Sequence, residues 1–448
     1  MSQKILVIGS GFNALATTYL LKKQGYDLKI FFDRSIKGVL GSVEVEGENF
    51  DLGYQFFDGL DEETSNFIKE MFSSEDLHNL KYGASTFSNN FFYQDHAIPY
   101  WPSYGKIFVI KAFMFYIKNF FKNLFNNQIG KKHSNLEEYY NLEEYYKELP
   151  PNINKIITNG CIKNFQISPK FLSANAHYMG TFTSYRQTLF GDKISNFLKN
   201  NSKFFDRVLA SRRKNNKKLE NISLYPKGKN MEYIVDKLIN RLTNGGVNFS
   251  QKNFDEIDIS YNKKSINING EIFNKVIIAT NLSNTKRILK INSKENFEHF
   301  ISQVFIYFTV KNLNFDFQYT QVNDVNLYCS RISNCSLYSK ITKKKNKVII
   351  AEIPLKKDDK FWNNDEQLTK IAWNEIISCG IVKKNENYEA VKILKVPKTF
   401  AVPKMKFFDH LNDIDMNLKK KYDEKIDFIG QGIFSRHLFV KELLKKYE

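Results

Sequence analysis

Two glycines and an alanine near the amino terminus have the spacing of a turn that binds a dinucleotide. They lie in the segment GSGFNA, residues 9–14, between an apolar run at residues 5–8 and a stretch with helical spacing. In this pattern Gly9 allows a sharp turn, Gly11 admits a pyrophosphate to the backbone, and Ala14 lets the helix pack closely. The helix amino terminus offers unpaired N–H groups and partial positive charge to the phosphates. The segment therefore predicts a strand, a turn and a helix that hold a pyrophosphate.

An acidic residue follows at the distance expected for binding a ribose. A second predicted strand, residues 28–32, ends in Asp33, twenty-two residues after Gly11. A carboxylate in this place typically accepts hydrogen bonds from ribose hydroxyls. The glycine pattern alone is weak evidence for a dinucleotide site. Its place in the order strand, turn, helix, strand and acid favours such a site over a strand-helix-strand unit that binds nothing.

The composition limits the classes of protein and partner. The 448 residues suggest two to three domains, and 66 Lys and Arg against 48 Asp and Glu give a net charge of +18. Such an excess favours nucleic acid, an anionic membrane or an anionic substrate, but lysines spread along the chain are usually solvated. Because no nucleic-acid motif accompanies the charge, we predict a small anionic substrate and no nucleic-acid partner.

The cysteines and histidines indicate no metal site. Cys161, Cys329, Cys335 and Cys379 form no C-x-x-C pair, which excludes the usual zinc and disulfide frameworks. Neither an H-E-x-x-H spacing nor a Ser-His-Asp order is present, so hydrolase chemistry has no support. With no readable secretory signal, we expect a cytoplasmic protein.

Sheet patterns return twice after the amino-terminal unit. Residues 231–249 predict a helix that stops at Gly245 and a strand, and Asn269-Gly270 predicts a tight hairpin before a buried strand at residues 276–279. The last residues, from 425, predict a strand, a glycine turn and a helix. Between these parts lie aromatic-rich helical stretches and, from Gln303, strands of a separate antiparallel sheet.

These segments together resemble the FAD-dependent amine oxidase and protoporphyrinogen oxidase superfamily, near which UDP-galactopyranose mutase belongs. The resemblance rests on the glycine turn and on FDLGYQFF, LYPKGKNMEYIVDKLINRLTNGGVNF, VIIATN and DFIGQGIF. It implies an α/β architecture: a Rossmann-like FAD-binding domain of residues 1–83, 221–300 and 396–448, with an inserted α+β substrate domain. The substrate domain, of helices and a mixed or antiparallel sheet, is then residues 84–220 and 301–395.

The resemblance also implies which residues bind non-covalent FAD. The glycine turn would meet the pyrophosphate, the region after the second strand the adenosine, and the carboxy-terminal turn with its helix the flavin. The implied residues are Gly9, Gly11, Phe12, Asn13, Ala14, Asp33, Arg34, Gly41, Ser42, Gly53, Phe254, Gly430 and Arg436.

The chain departs from the family at three places. Only Gly38 and a separated Gly41-Ser42 stand where the family has a glycine doublet. Gln55 replaces the histidine of its D-x-G-x-H motif, and Gln431 stands where Arg, Asp or Glu is common. Binding of a flavin tolerates these changes better than an inherited reaction does.

Five residues are candidates for chemistry on the substrate. Arg331 has the planar fork that binds carboxylate or phosphate, although a salt bridge is the commoner fate of an arginine. His437, at the start of the last helix, titrates near neutral pH or only packs. We predict catalytic roles for Gln55, Arg331 and His437, and substrate contacts for Arg186, Tyr328 and Arg331.

Two further segments allow more than one interpretation. Residues 105–127 are apolar and aromatic but carry Lys111, Lys118 and Lys122, so they are too interrupted to span a bilayer. We favour a substrate-domain helix with a buried face; the alternative is a helix lying on an anionic membrane. The basic run at residues 211–221 is expected to be a solvated loop rather than an anion site.

The resemblance and the residues together predict a FAD-dependent oxidoreductase acting on a nucleotide-sugar or a membrane-associated precursor. Two alternatives stay open: a mutase that uses reduced flavin, and a binding protein without flavin chemistry, like the Rab GDP-dissociation inhibitors. The sequence does not predict an oligomeric state.

Overall fold

The computed structural model describes residues 3–80, 83–94, 96–125, 140–179, 186–211, 222–262, 265–292, 295–339, 346–433 and 435–447. Of the basic run at 211–221, only Ser211 lies within these residues. The strands there are β1 (Lys4–Ile8), β2 (Asp27–Phe32), β3 (Ser42–Val45), β4 (Glu48–Asp51), β5 (Phe57–Leu60), β6 (Leu77–Leu80), β7 (Ala84–Ser88), β8 (Phe91–Gln94), β9 (Ile222–Pro226), β10 (Asn248–Gln251), β11 (Ile259–Asn262), β12 (Ser265–Ile268), β13 (Glu271–Phe273), β14 (Lys275–Ile278), β15 (Glu298–Val310), β16 (Tyr319–Val322), β17 (Arg331–Asn334), β18 (Lys347–Pro354), β19 (Ala390–Pro403) and β20 (Ile426–Phe428). The α-helices are α1 (Phe12–Lys23), α2 (Glu62–Phe72), α3 (Lys106–Phe125), α4 (Leu142–Tyr146), α5 (Pro151–Phe165), α6 (Asp192–Asn201), α7 (Lys203–Val208), α8 (Met231–Asn244), α9 (Leu282–Ile288), α10 (Cys335–Ser339), α11 (Asp365–Ser378), α12 (Phe407–Tyr422) and α13 (Arg436–Tyr447).

A five-stranded parallel sheet, in the order β10-β2-β1-β14-β20, carries the glycine turn at the end of β1. Its strands come from three separated parts of the chain, which confirms the fold class predicted from the sequence. Alternate residues of β1 point to opposite faces. Ile5 and Val7 pack toward α1, α8 and α13, whereas Leu6 and Ile8 pack toward α12. The strands are apolar throughout because both faces are covered.

The predicted hairpin forms at Asn269-Gly270. These residues have φ angles of 51° and 86° and join β12 to β13 within a small antiparallel sheet, β11-β12-β13. Positive φ at both positions matches the right-handed twist of paired strands, which explains the preference for Asn-Gly. Asp61 caps the amino terminus of α2, since its carboxylate accepts the Thr64 N–H at 3.0 Å.

A mixed seven-stranded sheet, β19-β15-β18-β17-β16-β7-β8, stands beside the parallel sheet. One face, with Phe305 and Tyr307, packs toward the residues around β4 and β5, and the other packs against α11. The long strands β15 and β19 pair antiparallel over most of their length. The domain bounds stay a prediction; those placed after residues 300 and 395 fall inside these two strands.

Helices α3 to α7 form a third packed region. Tyr116 of α3, Tyr146 of α4 and Ile157 of α5 are buried in one apolar cluster. The segment 105–127 is therefore helical over Lys106–Phe125 and buries one face, as favoured from the sequence. Among the described residues no helix is long and apolar enough to cross a bilayer.

Candidate functional site

The glycine turn is packed so closely that its small residues are required. A Cβ atom on Gly9 would lie 2.3 Å from the Ala279 carbonyl oxygen, where the chain leaves β14, and 3.4 Å from the Ala14 Cβ. Gly11 precedes α1 with a φ of 75°, a conformation that favours glycine. The turn therefore places the amino terminus of α1 at the carboxyl edge of the parallel sheet, where phosphates bind in such folds.

A cavity of about 910 Å³ opens beside this turn. This volume is within the range of roughly 300–1,000 Å³ of small-molecule sites. Its walls come from the glycine turn, the loop after β2, the start of α9, the end of β19 and the loop before α13. The residues predicted from the sequence that line it are Asn13, Asp33, Arg34, Phe254 and Gly430.

One end of the cavity combines a carboxylate, a guanidinium and an aromatic ring. Arg287 donates to Asp33 at 3.0 Å and to both Asp255 oxygens at 2.7 and 2.8 Å. Its guanidinium carbon lies 6.0 Å from the centre of the buried Phe254 ring. Hydrogen bonding to Asp255, with Asp33 adding to it, raises the pKa of Arg287 above its ordinary value. These groups suit the hydroxyls and the flat base of a nucleoside.

The other end contains an amide without a partner. Gln431 lies between Gly430 and Gly432 in the loop before α13, and its Nε2 is buried with no hydrogen-bond partner among the described residues. An unpaired buried donor costs about 1–3 kcal/mol, so a polar group of a ligand here would restore a lost interaction. A Cβ on Gly430 would lie 2.6 Å from the Asn13 amide nitrogen, which fixes the loop against the start of α1.

The residues present fit the FAD that the resemblance implies. The aromatic ring with two acids, the amino-terminal end of α1 and the loop with the unpaired amide all line one cavity. An adenosine, a pyrophosphate and a polar ring edge would each meet complementary groups there.

Gln55, Arg436 and Phe12 form a cluster of their own next to this cavity's loop. Arg436 donates to the Gln55 Oε1 and, at 2.7 Å, to the Phe56 carbonyl oxygen. Its guanidinium lies 5.9 Å from the Phe12 ring and 5.4 Å from the Phe57 ring. Burial lowers the pKa of Arg436, although Asp58 and Asp51 oppose this shift. The Phe12 side chain thus packs in the core, and only its backbone borders the turn.

Arg331 forms a bidentate ion pair with a buried carboxylate. Its Nε and Nη2 donate to Glu352 at 3.0 and 2.7 Å, and its guanidinium carbon lies 5.0 Å from the Tyr54 ring centre. Glu352 also accepts the Tyr54 N–H at 3.0 Å. Burial disfavours the charge, but Glu352 outweighs this effect and raises the pKa of Arg331. Gly53, the residue before Tyr54, packs tightly against Phe305, since a Cβ atom on Gly53 would lie 2.6 Å from the Phe305 ring.

Other predicted site residues lie away from the cavity. Gly41 precedes β3, and the Ser42 hydroxyl donates to Glu232 of α8. His437 contacts the Thr64 hydroxyl at 3.1 Å, and burial lowers its pKa.

Two predicted substrate residues are also separate from it. The Tyr328 ring packs on Phe361 at 5.4 Å, on the side of the seven-stranded sheet that faces α11. Arg186 is exposed next to residues outside the described part of the chain. Neither lines the 910 Å³ cavity.

Arg287 and Glu352 were not predicted from the sequence. Arg287 lies in the last turn of α9, the short helix that follows the buried parallel strand β14, and such folds bind ligands at the carboxyl ends of their strands. This position in the sequence could have identified Arg287 as a candidate site residue. Glu352 sits in an apolar run, VIIAEIP, and a lone acid among buried residues indicates a paired charge.

Comparisons with known proteins agree with this architecture. Residues 7–72 match the family model described as an NAD(P)-binding Rossmann-like domain. The structure of reduced UDP-galactopyranose mutase superposes with a TM-score of 0.69 at 13% identity, covering 100% of this chain and 95% of that chain. A proposed protoporphyrinogen oxidase from Exiguobacterium sp. 255-15 has a TM-score of 0.60 at 13% identity, covering 99% of both chains.

Putrescine oxidase bound to putrescine has a TM-score of 0.60 at 10% identity, covering 100% of this chain and 98% of that chain. The chain matches no curated protein sequence at a significant level. At these identities the likeness concerns the fold. The resemblance stated from the sequence is confirmed at that level: the chain has the fold of the amine oxidase and protoporphyrinogen oxidase superfamily.

Proposed function

We propose that the chain is a FAD-dependent oxidoreductase that binds its cofactor without a covalent bond. The observation that carries the proposal is one cavity lined by Asp33 and Phe254, by residues of the glycine turn and by Gln431. A nicotinamide site does not require the carboxy-terminal loop, whereas here that loop closes the cavity and presents an unpaired donor. The fold shared with putrescine oxidase and protoporphyrinogen oxidase supports the same cofactor class.

Each end of the cavity would have a separate task. Asp33 and Arg287 would bind the ribose, with Phe254 against the adenine. Backbone N–H groups at the start of α1 would bind the pyrophosphate, and the Gln431 amide would donate to the flavin. FAD, when bound, would accept a hydride from a C–H bond next to nitrogen or carbon, while the neighbouring atom loses a proton and a C=N or C=C bond forms.

We infer that an anionic substrate is oriented by Arg331. Two of its nitrogens hold Glu352, and Nη1 has no hydrogen bond to another described residue. A guanidinium held in this way presents one donor and its charge at a fixed position, which favours a carboxylate or phosphate. The net charge of +18 would raise the local concentration of such substrates. Gln55 cannot exchange a proton as an acid or base, because an amide does not titrate.

A mutase reaction on a nucleotide-sugar is the second candidate. The observation in its favour is the TM-score with UDP-galactopyranose mutase, 0.69 against 0.60 for the two oxidases. The amide of Gln55, in place of the family's histidine, counts against it.

The cofactor is tested on the purified full chain. We expect a yellow protein that releases FAD on denaturation, and a Gln431→Ala variant that binds FAD about 5- to 100-fold more weakly, as expected for one lost hydrogen bond to a buried donor. The variant should fold as well as the parent chain, because it removes an unpaired amide. A colourless protein that takes up no FAD would contradict the proposal and favour a binding protein.

The reaction class is tested with oxidised and photoreduced enzyme, each mixed with nucleotide-sugars and amines. Bleaching of the oxidised flavin by a substrate is the expected result. Turnover by the reduced form alone, giving an isomer without consuming an electron acceptor, would favour the mutase.

A further inference from the structure

Helix α3 has a second apolar face, and this face is exposed. Ile107 is 72% exposed, Ile110 59%, Met114 58% and Phe121 49%. At 100° per residue these four side chains fall within an arc of about 60° on one side of the helix. They extend over about 21 Å along it. We call these four residues the α3 outer face.

The opposite side of α3 is firmly packed. Ala112 and Tyr116 are buried, and the Phe113 ring lies 5.1 Å from Phe190 and 5.9 Å from Phe205. The helix is therefore held in the core by other residues. The α3 outer face is not needed for that packing, since its side chains point to solvent.

Lysines border the α3 outer face on one side. Lys111, Lys118 and Lys122 are exposed and lie within about 100° of the apolar arc, by the same helical geometry. Helix α3 contains four lysines and no Asp or Glu. An apolar stripe beside lysines is the pattern of a helix that lies in the interface of a membrane.

We propose that the α3 outer face binds the surface of an anionic lipid bilayer. The apolar side chains would enter the boundary between headgroups and acyl chains, and the lysines would contact the anionic headgroups. The axis of α3 would lie parallel to the membrane plane, and its packed side would keep it attached to the rest of the chain. This proposal does not depend on the cofactor or on the reaction.

Charge decides against a second copy of this chain as the occupant. A symmetric contact between two such faces would bring lysines of α3 together without a carboxylate of α3 to pair them. Two chains of net charge +18 also repel one another. An anionic bilayer supplies the opposite charge along the whole length of the face.

The experiment is flotation of the full chain with vesicles of phosphatidylcholine alone or mixed with phosphatidylserine. We expect binding to the mixed vesicles that weakens at high salt. Two double variants, Ile110→Ser/Met114→Ser and Lys118→Glu/Lys122→Glu, should each bind the mixed vesicles at least about tenfold more weakly. The first loses lipid contacts and the second loses charges that pair with the headgroups.

Matched variants control for composition. Ile272→Ser/Met416→Ser makes the same replacements at two residues that are each 61% exposed elsewhere. Lys383→Glu/Lys384→Glu makes the same charge change at two exposed lysines after α11. Both controls should bind like the parent chain, and circular dichroism should show that every variant is folded.

Three results would overturn the proposal. The first is no flotation with mixed vesicles, and the second is equal loss in the control variants. The third is a concentration-dependent dimer in sedimentation, formed without lipid and abolished by Ile110→Ser/Met114→Ser, which would assign the face to a second copy.

Discussion

Gly11 and Gly25 both have a positive φ angle, but only Gly11 lies in the turn proposed to bind the cofactor. Their φ angles are 75° and 87°. A Cβ on Gly25 would meet nothing within 4 Å, whereas one on Gly11 would face the Gly38 backbone at 3.7 Å. A side chain is disfavoured by the backbone at both positions, and only at Gly11 would it also take space from the proposed ligand.

Gly11→Val should abolish FAD binding, because the branched side chain occupies the place of the pyrophosphate. Gly25→Val should also carry backbone strain, roughly 1–2 kcal/mol, and keep the cofactor. Fluorescence titration of FAD and urea unfolding measure the two effects. Equal FAD affinity in both variants would refute the assigned role of Gly11.

Asp51 is a buried carboxyl group with two hydrogen bonds. Its oxygens accept the Tyr225 hydroxyl at 2.6 Å and the Met231 N–H at 2.8 Å. Burial raises the pKa of Asp51 to about 7, and the two hydrogen bonds offset this in part. In the unfolded chain an aspartate has a pKa of about 3.9.

The free energy of unfolding should fall as the pH rises from the pKa of Asp51 in the unfolded chain to its pKa in the folded chain. Between the two pKa values the folded chain keeps a proton on Asp51 that the unfolded chain has released, so ionisation favours unfolding. We expect the free energy of unfolding to fall by on the order of 2–4 kcal/mol from about pH 4 to about pH 8 through this residue. Urea unfolding of the parent chain and Asp51→Asn across that range isolates the contribution, which should vanish in the variant; parallel pH profiles would contradict it.

At the scale of elements, one carboxylate joins two strands to the turn after β4. Glu352 of β18 pairs with Arg331 of β17 and accepts the Tyr54 N–H, and its side chain is 2% exposed. Breaking a buried pair leaves the other charge uncompensated and costs about 3–5 kcal/mol. An exposed pair on one helix, Glu366 with Lys370 of α11, contributes much less, because water and salt screen both charges.

Glu352→Gln should therefore destabilise the chain by about 3–5 kcal/mol, and Glu366→Gln by much less. Replacing both partners, as in Arg331→Met/Glu352→Gln, should recover part of the loss, because no charge stays unpaired. Chemical unfolding of the parent chain and of these three variants measures the differences. A loss for Glu352→Gln no larger than for Glu366→Gln would show that the pair does not join these elements.

At the scale of the whole molecule, the cavity lies between the parallel sheet and the ends of β15 and β19. Its walls include Phe254 and Gly430 from one side and Thr399 and Phe400 from the other. A ligand that fills it contacts parts of the chain that are distant in sequence. Binding to the folded chain alone stabilises that state by mass action.

FAD at one hundred times its Kd should raise the free energy of unfolding by about 2.7 kcal/mol. NAD at the same concentration should raise it by less, because NAD lacks the isoalloxazine ring proposed to reach Gln431. Thermal unfolding with each nucleotide measures the difference, and Gly11→Val serves as the control that responds to neither. An equal shift with NAD would identify a nicotinamide site.

Local patterns of residues determine much of this fold. The glycine turn and the Asn269-Gly270 hairpin each depend on a few neighbouring residues, so the sequence alone predicts them. The strands in the three parts of the parallel sheet could likewise be predicted from the sequence, because strands buried on both faces are continuous apolar runs. The adenosine end of the cavity, with Asp33 and Phe254, was predicted through the family resemblance.

Only the tertiary structure decided where distant side chains meet. Arg331 was a candidate clamp, but its pairing with Glu352 follows from the register of β17 against β18. Gln55 and Arg436, 381 positions apart, meet because α13 packs beside β5. The exposed face of α3 was equally hidden, since apolar residues surround that helix and only packing shows which side stays free. Such contacts depend on strand register and helix rotation, which local residue patterns do not specify.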